Sequence, residues 1–141
     1  MVAILVEEGG IADCATLCAA ILHDTIEDTG TTHGELVERF GREVADIVRE
    51  VSDDKRLDKQ VRKDLQIAHT AYASPRAKLV KLADKIANMR DILDRPPVGW
   101  SGDRKREYFD WASRVVLGIR GTHPNLESIF DSVHRRRAEL T

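Results

Sequence analysis

The sequence is poor in the residues that mark secreted, disulfide-stabilised proteins. It has only two cysteines, Cys14 and Cys18, which lie four residues apart in an apolar run. Two cysteines cannot build a disulfide framework, and no further cysteine is present to complete a zinc site. We therefore expect both to be buried as small hydrophobic residues, in a protein kept in a reducing, cytoplasmic setting.

Long hydrophobic runs and a strong excess of either charge are also absent. Every apolar run is well short of the ~18 residues that a membrane-spanning helix needs, and the apolar Met1–Leu5 stretch is too short for a signal peptide. The formal net charge is −2, so no overall basic field favours nucleic acid. We expect neither a membrane nor a nucleic acid as a partner.

What the chain does have is helical patterning from end to end. Its 141 residues, 42% of them hydrophobic, are enough for one domain with a packed core. Apolar residues recur at helical spacing, strand-like alternation is absent, and no segment repeats. The prediction is an all-α helical bundle that forms a single domain over residues 1–141. Helices are expected at about 13–24, 32–40, 44–51, 59–72 and 75–93, from 101 or 103 to before 118 or 121, and from 124.

The helix at 13–24 is apolar almost all round, so we expect it to be central and buried. The motif that organises the sequence, His23-Asp24-Thr25-Ile26-Glu27-Asp28, ends this helix. Residues four apart share a helix face. We therefore expect Glu27 to lie beside His23 and Asp28 beside Asp24, with all four side chains in one pocket. A lone histidine there is usually a satisfied core residue, but this much buried carboxylate is costly unless a cation compensates it. Imidazole and carboxylate donors together suit Mn²⁺, Fe²⁺ or Mg²⁺. Such a metal would activate water and polarise a phosphoryl oxygen, with Glu27 and Asp28 as proton acceptors.

The helix predicted at 75–93 supplies a second acidic group. Asp84 lies at the edge of its apolar arc, with Asn88 one turn later, and could reach a metal held by another helix. The alternative is an ordinary solvated face with pairs such as Lys81–Asp84. Arg90 falls within the apolar arc, so we expect it to be buried and paired with a carboxylate.

Four segments together resemble the HD-domain metal phosphohydrolases, and among them the alarmone hydrolases related to the RelA/SpoT hydrolase domain, especially the small stand-alone metazoan type. They are LHDTIEDT (22–29), FGREVADIVREVSDDK (40–55), AKLVKLADKIANMRD (77–91) and GWSGDRKREYFDWASRVVLG (99–118). The resemblance covers nearly the whole chain. It implies an all-helical HD-domain fold, Mn²⁺ dependence, and release of pyrophosphate from the 3′ position of ppGpp or pppGpp to give GDP or GTP.

The resemblance also implies a role for particular residues. The implied metal ligands are His23, Asp24 and Asp84. The implied catalytic acidic pair is Glu27 and Asp28. The implied substrate contacts are Asn88 at the nucleoside and Lys59, Lys85, Arg104 and Tyr108 at the phosphates or nucleotide. A substrate with two diphosphates needs several basic groups, although plain surface charge is the alternative for Lys59 and Arg104.

One ligand implied by the resemblance is missing from this sequence. The family takes a further histidine from an upstream His-Pro segment, and His123-Pro124 lies too far along the chain to replace it. With three protein ligands the affinity for metal should fall. The domain is therefore expected to lack an N-terminal portion, which would leave the Val2–Val6 segment and the 13–24 helix partly uncovered and make a homodimer possible.

Three hypotheses about function remain open at this point. The first is a metal-dependent alarmone 3′-pyrophosphohydrolase. The second is the same HD-domain chemistry on another nucleotide or phosphate ester. The third is a truncated protein that binds a nucleotide but is impaired in catalysis.

Overall fold

The computed structural model describes residues 1–141 and contains helices but no strands, which confirms the predicted all-α fold. A short π-helix, Ile4–Glu8, is followed by eight α-helices and a final 3₁₀ turn, Arg136–Glu139. The α-helices are α1 Cys14–Leu22, α2 Thr25–Thr29, α3 His33–Phe40, α4 Arg42–Val51, α5 Lys59–Thr70, α6 Pro75–Asp94, α7 Gly102–Leu117 and α8 Pro124–Arg135. None of these helices is both long enough and apolar enough to cross a membrane.

Polar side chains at predicted start positions cap several helices. Each accepts a hydrogen bond from a backbone N–H of the first turn, one of the donors that a helix leaves unpaired. The capping residues are Asp13 for α1, Thr32 for α3, Ser74 for α6 and Ser101 for α7. These local hydrogen bonds explain why the observed helix starts lie close to the predicted ones.

The centre of the bundle is α6, not α1 as its all-round apolar sequence predicted. Helix α6 packs against α1, α4, α5, α7, α8 and the π-helix. Helix α1 buries only one face, which consists of the small residues Ala15, Thr16, Ala19 and Ala20, while Ile21 on the other side is 68% exposed. The prediction of a central α1 was wrong because small residues let one face of the helix pack closely against α4 and α6, and its other apolar residues lie outside that contact.

The predicted burial of the cysteines is also wrong. Cys14 is exposed and Cys18 is partly exposed, because both lie outside the buried face of α1. They are free thiols, as expected, with their Sγ atoms 3.8 Å apart.

Arg90 ties α6 to the π-helix. Its guanidinium donates two hydrogen bonds, each 2.7 Å, to the two carboxylate oxygens of Glu8. The predicted pairing with a carboxylate is confirmed, although Arg90 is half-buried rather than buried. This contact fixes the start of the chain against the helix that carries Asp84.

Candidate active site

His23 and Asp24 lie in the break between α1 and α2, rather than on one continuous helix. The His23 ring donates from Nδ1 to the carbonyl oxygen of Ala20, at 2.8 Å, which fixes its orientation. Its other nitrogen, Nε2, then lies 3.1 Å from Asp24 Oδ2 and 3.7 Å from Asp84 Oδ1. Two residues adjacent in sequence and one from α6 therefore converge at Nε2.

These three side chains suit a divalent metal ion in chemistry and spacing. Because Nδ1 donates to a carbonyl, Nε2 of a neutral ring carries a lone pair that points toward two carboxylates. Three such electron-rich groups repel one another unless a positive charge lies between them. On an octahedral ion with bonds of about 2.1 Å, neighbouring ligand atoms lie about 3.0 Å apart, close to the spacing seen here. No group of three or more His, Cys, Asp or Glu side chains is already closed around a metal position. The donor set fits a hard divalent ion, and Asp84 has to shift slightly to complete it.

Asp84 is held as a carboxylate by the lysines beside it. Burial alone would raise the pKa of Asp84, but the charges of Lys85 and Lys81 outweigh burial, and the net pKa is lowered. Lys85 Nζ lies 3.4 Å from Asp84 Oδ2 and 4.0 Å from the centre of the Trp111 ring. Burial in turn lowers the pKa of both lysines.

A cavity of about 370 Å³ is lined by most of the predicted site residues. The predicted residues that line it are His23, Asp24, Glu27, Asp84, Lys85, Asn88 and Tyr108. Asn88 donates from Nδ2 to the Tyr108 hydroxyl at 2.9 Å and to Asp84 Oδ1 at 3.3 Å, and so links α6 to α7. The cavity therefore joins the candidate metal ligands to the candidate nucleoside contacts.

The predicted acidic pair is divided between the cavity and the surface. Glu27 lines the cavity, where burial and the negative charge of Asp53 raise its carboxyl pKa. Asp28 is more than half exposed, and its Oδ1 accepts a hydrogen bond of 2.6 Å from Lys55 Nζ. Consecutive helical residues point about 100° apart, which explains why the two carboxylates do not share one pocket. The catalytic role of Asp28 stays a prediction.

The cavity also contains residues to which the sequence analysis gave no role in the site. They are Asp53, Gln66, Lys81 and Trp111. Gln66 donates from Nε2 to both Asp53 oxygens, at 3.0 and 3.2 Å, and so holds that carboxylate in place. Lys81 is only 8% exposed, so the alternative of a solvated face around Asp84 is wrong. The spacing of Lys81 could have indicated its place in the site, because it lies one helical turn before Lys85 and therefore on the same face of α6.

A second cavity, of about 380 Å³, contains the remaining predicted substrate contacts. Lys59, Arg104 and Tyr108 all line it, together with Lys63, which the sequence analysis missed. Arg104 is exposed, and its guanidinium lies 4.3 Å from the centre of the Trp100 ring, within the range of a cation–π contact. Tyr108 lines both cavities.

The chain is similar to a family of known proteins. An HD-domain family model matches residues 1–108. The guanosine-3′,5′-bis(diphosphate) 3′-pyrophosphohydrolase MESH1 of Xenopus tropicalis is 56% identical over 128 residues, covering 91% of this chain and 72% of that protein. Its Homo sapiens counterpart is 49% identical over 134 residues, covering 95% of this chain and 75% of that protein.

A solved structure shows the same arrangement of helices. It is that of a metazoan orthologue of SpoT, described as hydrolysing ppGpp and playing a role in starvation responses. It matches with a TM-score of 0.93 and 47% sequence identity, covering 99% of this chain and 78% of that one. The chain belongs to the HD-domain family and, within it, to the guanosine-3′,5′-bis(diphosphate) 3′-pyrophosphohydrolases related to SpoT.

Proposed function

We propose that this protein hydrolyses the 3′-diphosphate of ppGpp and pppGpp, releasing pyrophosphate and leaving GDP or GTP. The observation that carries the proposal is the pair of neighbouring cavities, which share Tyr108 as a lining residue, in a chain that belongs to this enzyme family. One cavity contains hard metal ligands and a carboxylate of raised pKa, and the other contains unpaired cations that suit a second diphosphate.

We propose Mn²⁺ as the cofactor, held by His23, Asp24 and Asp84. One imidazole nitrogen with carboxylate oxygens is a donor set that Mn²⁺ accepts readily. When bound, the ion supplies Lewis acidity at the phosphoryl group and favours ionisation of water. The orienting bond from His23 Nδ1 to Ala20 and the lysines that keep Asp84 ionised both prepare the ligands for this ion.

The chain's own groups can supply the proton transfer and the binding of charge. Glu27 is placed to accept a proton from the attacking water, since its raised pKa makes its carboxylate a better base than an exposed glutamate. Lys81 and Lys85 offset the negative charge of the diphosphate that is cleaved.

The nucleoside and the second diphosphate have separate contacts. Asn88 and Tyr108, hydrogen-bonded to each other, are placed to orient the nucleoside. We assign Lys59 and Arg104 to the other diphosphate, because both line the second cavity together with Lys63. We further propose that residues 1–141 act as one domain in the cytoplasm, while a homodimer stays a prediction.

The direct test is turnover by the purified chain with Mn²⁺, with products separated by anion-exchange chromatography. We expect ppGpp to give GDP and pyrophosphate, and GTP or ATP at the same concentration to remain intact. Equal turnover of GTP or ATP would favour the hypothesis of another nucleotide substrate. Binding of Mn²⁺ and of ppGpp without any turnover would overturn the proposal and favour a nucleotide-binding protein.

A further inference from the structure

The two cysteines of α1 are a feature that the proposed function leaves unused. Cys14 is the first residue of the helix and Cys18 lies one turn later, with both thiols reaching the surface. Their Sγ atoms face each other at 3.8 Å without a bond between them. The chain therefore presents a preformed pair of thiols to solvent.

The distance between the two sulfur atoms is that of two thiolates on one ion. Sulfur atoms bound at about 2.3 Å to one centre lie about 3.8 Å apart at the tetrahedral angle and about 3.3 Å apart at the smaller angle of about 90° of a pyramidal centre, a difference that rotation of the two side chains can supply. The helix sets this distance, because side chains four residues apart lie on one face. Asp13 caps the same turn by accepting a hydrogen bond of 3.1 Å from the Thr16 N–H, so the backbone that holds the thiols is itself supported.

A disulfide suits this pair less well than a bridging ion. Helical residues four apart have Cβ atoms about 5–6 Å apart, whereas a disulfide needs about 3.5–4.5 Å. A direct bond would therefore require the first turn of α1 to unwind. An ion that spans the two sulfurs requires no movement of the backbone.

We propose that Cys14 and Cys18 form a chelating site for soft, thiophilic ions, with trivalent arsenic as the chemical class that fits best. Thiolates prefer soft ions, and no third His, Cys, Asp or Glu side chain completes a larger ligand group. An organic arsenical, in which trivalent arsenic already carries one carbon group and needs only two bonds from the protein, therefore matches the site better than Zn²⁺, which takes four ligands. Neither cysteine lines the cavity that contains His23, so the site is separate from the proposed catalytic chemistry.

Capture of an organic arsenical balances without any oxidant. Phenylarsine oxide carries one oxygen on arsenic, and each thiol transfers its proton to that oxygen. Two As–S bonds form, the bonds between arsenic and oxygen break, and one molecule of water leaves. Arsenic and sulfur keep their oxidation states.

The test is titration of the full chain with phenylarsine oxide, followed by intact-mass spectrometry and a count of reactive thiols. We expect one phenylarsenic group per chain and a fall from two reactive thiols to none, reversed by a competing small dithiol. Loss of only one reactive thiol per bound arsenic, or no binding of arsenic at all, would overturn the proposal.

A matched variant separates chelation from simple thiol reactivity. The double substitution Cys18→Ser with Ile21→Cys keeps two thiols on α1 but places them seven residues apart, about 10 Å along the axis. Ile21 is 68% exposed, so the change leaves the core intact. We expect the affinity for phenylarsine oxide to fall about 100-fold or more, because arsenic can then bind only one of the two thiols at a time. Unchanged affinity would contradict chelation by this pair.

Discussion

Replacing Glu27 with Gln should separate catalysis from metal binding. Glu27 lines the cavity beside the candidate metal ligands, and the amide keeps its size while removing the proton acceptor. General-base catalysis contributes about 10²- to 10⁴-fold, or about 3–5 kcal/mol of barrier. We expect kcat for ppGpp to fall within this range, and the affinity for Mn²⁺ to stay within a few fold of the unaltered protein.

The same substitution should stabilise the fold, and only at neutral pH. Burial and the Asp53 charge raise the Glu27 pKa above its ordinary value of 4.5, so the folded state penalises the ionised form. This penalty on the folded state is absent below the ordinary pKa of Glu27. It develops as the pH rises above that value and is complete above the raised pKa of the folded state. Urea denaturation should therefore show Glu27→Gln as more stable than the unaltered protein at pH 7 and equal to it near pH 3.

The control for this experiment is Glu38→Gln on the exposed side of α3. Glu38 is exposed and far from both cavities, so its loss should change neither turnover nor stability. If Glu27→Gln kept kcat within about threefold, Glu27 would not be the base. A loss of Mn²⁺ affinity in step with kcat would instead make Glu27 a metal ligand.

Substitutions at three other positions test the rest of the site. Asp84→Ala should abolish Mn²⁺ binding measured by calorimetry, and retained binding with activity would show that the ligand set is wrong. Trp111→Leu should lower kcat/KM about 5- to 30-fold, because it removes about 1–2 kcal/mol of cation–π stabilisation from the Lys85 ammonium, while Trp111→Phe should recover part of the loss. Unchanged kinetics in the leucine variant would exclude that contact from the mechanism. Asp28→Asn should cost less activity than Glu27→Gln, because Asp28 pairs with Lys55 outside the cavity; equal losses would place Asp28 in the mechanism after all.

The features predicted correctly from sequence are those that depend on neighbours along the chain. The side chains of Thr32 and Ser74 cap helices that start one residue later, and such bonds need only a few adjacent residues. The convergence of His23, Asp24 and Asp84 was also predicted, but through the resemblance to a family rather than through spacing, because Asp84 comes from a different helix.

The features that the sequence could not supply depend on how helices pack. Lys81 falls on the polar arc of α6, yet α6 is the central helix and even that arc is covered. Asp53 lies in a connection between helices, and hydrogen bonds from Gln66, thirteen residues later, hold its carboxylate in the cavity. The break between α1 and α2 turns Glu27 inward and leaves Asp28 outside, which helical spacing across an unbroken segment does not predict.

Hydrolysis of ppGpp in ¹⁸O-labelled water, with Mn²⁺ present and the products analysed by mass spectrometry, tests the proposed function most directly. Attack by water on the phosphorus next to the ribose 3′ oxygen predicts equal amounts of GDP and pyrophosphate, with one ¹⁸O atom in the pyrophosphate and none in GDP. Labelled orthophosphate would show attack on the terminal phosphorus instead. That result would contradict a 3′-pyrophosphohydrolase. Label in the nucleoside would show cleavage at carbon and would contradict the proposed attack on phosphorus.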